Sequence, residues 1–65
     1  MKNKMRTYTL TTNNAKDIND FAYQIVRDDN LVLYSNGNYE YVYQELCRIA
    51  LDKQMHHELA NFIIL

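Results

Sequence analysis

His56 and His57 are the residues whose type best suits chemistry, because imidazoles titrate near neutral pH and ligate metals. Neighbours on a helix point about 100° apart, so the two cannot converge on one ion, and neither H-x-x-x-H nor H-E-x-x-H spacing is present. Asp52, four residues before His56, is placed for a surface ion pair instead. Cys47 is the only cysteine; with no elbow or second motif around it, it reads as a small buried hydrophobe. Asp28-Asp29 reads as a solvated stop signal rather than a cation site. The single glycine, Gly37, rules out a glycine-rich phosphate loop. The sequence therefore predicts a protein that is not an enzyme, with no catalytic residue, no metal ligand and no cofactor.

The residues best suited to binding are aromatic. Tyr34, Tyr39, Tyr41 and Tyr43 cluster within a short stretch of a chain that has six tyrosines. Tyrosine gives large contact area at little entropic cost and keeps a hydroxyl for a partner, so the cluster is a candidate protein interface. Stacking of nucleic-acid bases is disfavoured, because Glu40 and Glu45 lie in this region and no Lys or Arg falls between Leu31 and Cys47. A basic arm at residues 1–5, carrying Lys2 and Lys4 with Arg6 just beyond, offers a few phosphate contacts at most.

Elements must position these groups, and the chain has few residues to build them. Its 65 residues suffice for one domain, 1–65, with one small core of marginal stability. One thiol closes no internal disulfide, which leaves association as the remaining source of stability. Residues 1–12 hold no apolar run like that of an export signal, and the longest uninterrupted apolar stretch, residues 62–65, is far shorter than a membrane span. A cytoplasmic location without membrane contact is expected. Seven basic and eight acidic residues leave a net charge of −1, so no global field attracts polyanions.

Alternating Tyr8 and Leu10 among threonines predicts a strand over residues 6–12. Asn13-Asn14 then offers a cap, and Ile18, Phe21, Ala22, Ile25 and Val26 follow the i, i+3, i+4, i+7, i+8 spacing of a helix with Phe21 and Ile25 as core anchors. Residues 31–35 read as a second strand. Beyond it two signals compete. Asn36-Gly37 is a type I′ hairpin signal that would make residues 39–43 a third strand, whereas Asn38 could cap a long helix. From Gln44 onward the sequence predicts helix through Phe62, with one apolar row through Leu46, Ile49, Ala50, His57 and Ala60 and a second through Cys47, Leu51, Met55, Leu59 and Phe62. The expected fold is a small α+β domain of order β-α-β-(β)-α, with two helices packed on one face of a two- or three-stranded sheet.

Frequent asparagine, with no proline, suggests AT-rich codons. The length, single domain and lack of enzymatic motifs are similar to those of small phage or mobile-element proteins that block host-defence or replication enzymes, although no motif is shared. The function expected is a non-enzymatic interaction module that sterically inhibits or regulates a larger bacterial protein. Its interface would use Tyr34, Tyr39, Tyr41 and Tyr43 together with Leu51, Met55, Leu59 and Phe62, and the second row would also support a homodimer. The alternative is a small nucleic-acid-binding regulator that uses the basic N-terminal arm.

Overall fold

The computed structural model describes residues 5–65, so the basic arm lies outside the described residues except for Met5. Six elements follow in order: β1 (Arg6–Thr12), a 3-10 turn (Ile18–Asp20), β2 (Tyr23–Arg27), β3 (Val32–Asn36), α1 (Tyr39–Met55) and β4 (Ala60–Ile64). The strands form one mixed sheet in the order β3-β2-β1-β4. β1 and β2 are antiparallel, β2 and β3 are antiparallel, and β4 returns parallel to β1. The single helix crosses one face.

The core follows from period two on the strands and period 3.6 on the helix. Tyr8 and Leu10 of β1, Ile25 of β2, and Val42 and Leu46 of α1 are its buried side chains. Tyr23, Tyr34, Ile49, Ala60 and Phe62 pack around them. The opposite face of the sheet, which includes Thr9, Val26, Val32 and Ile63, has no element over it among the described residues.

β1 lies where its alternating pattern places it, and the strand expected at residues 31–35 is present one residue later, as β3. The expected first helix is absent. Ile18 is 81% exposed at the 3-10 turn, and Ile25 and Val26 lie in β2. Ile25 is fully buried, as a core anchor should be, but Phe21 is only half-buried. The helical spacing of Phe21 and Ile25 is equally a period-two row through Tyr23, and β-branched Ile25 and Val26 pack well on a pleated surface. Asp28-Asp29-Asn30, rather than stopping a helix, turns the β2–β3 hairpin. Asn30 adopts φ 69, the Asn30 N–H donates to the Arg27 carbonyl at 2.8 Å, and the Arg27 N–H donates to the Leu31 carbonyl at 2.9 Å.

Between the hairpin and helix signals at residues 36–38, the helix prevails. Asn38 caps α1, its Oδ1 accepting from the Glu40 N–H at 2.9 Å, and Gly37 does not have the positive φ that a type I′ turn needs. The last helix is also shorter than expected, ending at Met55 rather than at Phe62. His57 takes φ 55, the His57 N–H donates to the Gln54 carbonyl at 3.1 Å and the Glu58 N–H to the Lys53 carbonyl at 2.8 Å. This is a Schellman stop with histidine in the left-handed position where glycine is usual. Leu59 and Phe62 are therefore not on the helix, the expected second row is broken after Met55, and the two-helix architecture gives way to one helix over four strands.

Candidate interaction surface

The loop from β1 to β2 is tied by Asn13. Its Oδ1 accepts from the backbone N–H of Ala15 and of Ala22, both at 3.2 Å, and its Nδ2 donates to the Asp20 carbonyl at 2.8 Å. A further bond joins the Asn13 N–H to the Ala22 carbonyl at 3.0 Å. The clamp holds the loop that places Phe21 just ahead of β2, where its ring meets Tyr23 edge-on with centroids 5.0 Å apart. Tyr23 meets Tyr39 edge-on at 5.1 Å, and Tyr39 stacks near Tyr43 at 6.2 Å. Four rings thus form a continuous row from the entry of β2 to the first turns of α1. Tyr39 is 41% and Tyr43 43% exposed.

Of the tyrosines the sequence singles out, only Tyr39 and Tyr43 join this row. Tyr34 points to the helix-covered face, packs against the core, and has its hydroxyl 3.4 Å from the Asn36 amide nitrogen. Tyr41 is exposed, about 200° around the helix from either of its neighbouring tyrosines. Phe21 and Tyr23 were missed because the expected helix separated them from the tyrosine cluster. Their alternation with Ile25 was the signal that could have found them.

Leu51 and Met55 project from α1 well away from the Val42 side and remain exposed. Cys47 shares that outward side and is exposed, contrary to its expected burial. Its position, about 140° around the helix from buried Val42, accounts for this. Leu59 is exposed in the connection to β4. Phe62 stacks on Tyr8 across the β1–β4 pair, with ring centroids 5.3 Å apart.

Several charged groups outside the aromatic row are paired. Arg6 lies 3.0 Å from Asp28, Arg27 forks onto Asp29 at 2.8 and 2.6 Å, and Lys53 reaches Glu58 at 2.9 Å. Arg48 pairs with Glu45 along the helix. The Arg27 hydrogen bond holds the Asp29 carboxyl well below the ordinary carboxylate range, and Arg48 and Lys53 lower Glu45 and Glu58 in the same way. Lys53 also stands 5.9 Å over the Tyr8 ring. Together with Arg6, His56, His57, Glu58 and Leu59, these two residues line an open hollow at the end of α1. His56 Nε2 lies 3.5 Å from the Asp52 carboxylate, the neighbour anticipated from their spacing, while His57 turns the backbone. No group of three or more metal-ligating side chains is assembled among the described residues.

No helix among the described residues is long and apolar enough to cross a membrane. Comparison with protein-family models, with curated proteins and with solved structures finds no match to this chain.

Proposed function

We propose that this protein is a non-enzymatic interaction module that works by covering a surface of a larger bacterial protein, in the manner of a phage or mobile-element inhibitor. The observation that carries the reading is the Phe21–Tyr23–Tyr39–Tyr43 row. Its two helix-borne rings, Tyr39 and Tyr43, are two-fifths exposed although they are fixed by ring-to-ring contact, so they offer area without much loss of freedom on binding. Exposed Leu51 and Met55 extend the apolar surface of the same helix. Among the described residues, fourteen large hydrophobic side chains are exposed and five core residues are buried, a proportion that suits a protein completed by a partner.

The mechanism is steric and needs no reacting group. Affinity capture from a low-GC bacterium tests it: wild type should retain one protein in stoichiometric amount, and Tyr39→Ser with Tyr43→Ser should lose it. Recovery of nothing above background would contradict the reading. The nucleic-acid alternative is weakened by the pairing of Arg6 with Asp28, since that cation already has a partner. Steeply salt-dependent retardation of DNA or RNA in a mobility shift would restore it.

A further inference from the structure

We infer that the outer edge of β4 is a self-pairing edge, which joins two copies of this chain through antiparallel β4 strands into one continuous sheet. Of the two edge strands, β3 is guarded by a bulge: the register shifts between Ile25 and Val26, from Ile25 opposite Tyr34 to Val26 opposite Val32, leaving Leu33 as the extra residue. β4 has no such guard. Its sequence, A-N-F-I-I, contains no charge, no proline and no glycine, and its register with β1 is unbroken over five pairs. Ile63 and Ile64 are 43% and 50% exposed.

The occupant follows from charge and register. A two-fold contact sets a strand against its own sequence, so like charges would repel, and no side chain of residues 59–65 is charged. The Leu65 N–H donates to the Leu10 carbonyl at 3.0 Å, and alternation from that bond turns the N–H and C=O of Ala60, Phe62 and Ile64 away from β1, toward the open edge. Antiparallel pairing centred on Phe62 matches these groups completely: Phe62 faces its own copy, and Ala60 faces Ile64 in both directions. Centring on Asn61 or Ile63 leaves one of the three unmatched within the strand. The same register sets a small residue against a large one on the helix side and brings exposed Leu59 beside exposed Leu65 on the other. The dyad stands perpendicular to the sheet, so both helices lie on one face with their aromatic rows free. The contact is independent of the partner surface proposed above.

Sedimentation of the wild-type protein from about 10 µM to 1 mM, with residue-resolved amide exchange at both ends of that range, tests this. The expected result is a monomer-to-dimer rise in mass. Exchange at Ala60, Phe62 and Ile64 should slow by at least tenfold with concentration, while Asn61 and Ile63, already bonded to β1, change no more than the rest of the sheet. A mass that stays monomeric at 1 mM would overturn the proposal. A dimer in which any of the three outward amides keeps its monomer exchange rate would overturn it as well, placing the contact elsewhere or in another register.

Discussion

Asn13 and His57 each hold a chain reversal that no glycine or proline provides. Asn13 makes three side-chain hydrogen bonds to backbone groups of the β1–β2 loop, so Asn13→Ala should lower stability by about 1 to 2 kcal/mol on denaturant unfolding. His57 stands in the left-handed region at φ 55, where a side chain is strained, and His57→Gly should raise stability by about 1 kcal/mol in the same measurement. Ion pairs set the acid limb. Asp29, Glu45 and Glu58 bind protons less readily folded than unfolded, so the stability they contribute is present above their unfolded pKa of about 4 and is lost as pH falls through their lower folded values. The thermal midpoint should therefore decline from about pH 4 downward, and Asp29→Asn should flatten that decline at its most acidic end. A sequence shows which carboxylates exist. Only the hairpin shows that Asp28 and Asp29 meet Arg6 and Arg27.

Among the elements, β1 was legible because threonine alternates there with Tyr8 and Leu10, and nothing else competes with that pattern. β2 was not, because Phe21, Tyr23 and Ile25 satisfy period two while Ile18, Phe21, Ala22, Ile25 and Val26 satisfy the helical spacing. The tie was decided by pairing to β1 and β3, which the local sequence does not encode. The end of α1 was hidden for a different reason: its Schellman stop uses histidine, so the glycine that normally marks it is missing. With β4 hidden behind that stop, its open edge could not be foreseen. Gly37 misled in the opposite sense, being a turn residue without a positive φ. A Cβ added there would meet only the Phe21 carbonyl oxygen, at 3.9 Å, so Gly37→Ala should fold normally, with stability unchanged or raised by up to about 1 kcal/mol on thermal unfolding.

At the scale of the whole molecule, five buried side chains support a helix and four strands. So small a core supplies only about 3 to 5 kcal/mol, and truncation of fully buried Ile25 to alanine removes about 2 to 5 kcal/mol, enough to leave much of the chain unfolded. Circular dichroism of Ile25→Ala at room temperature checks this. The same shortage of interior leaves Tyr39 and Tyr43 of the aromatic row and the outward side of α1 exposed to water, and from this the interaction reading follows. The candidate surface was half legible: Tyr39 and Tyr43 stood out by type, but Phe21 and Tyr23 join them only through the tertiary fold. The most direct measurement is the binding ratio between wild type and the Tyr39→Ser/Tyr43→Ser variant, both shown to be folded, for the protein that wild type retains in stoichiometric amount. The account predicts at least a tenfold loss of affinity with little change in thermal midpoint, and equal binding by the two, or no retained protein at all, would contradict it.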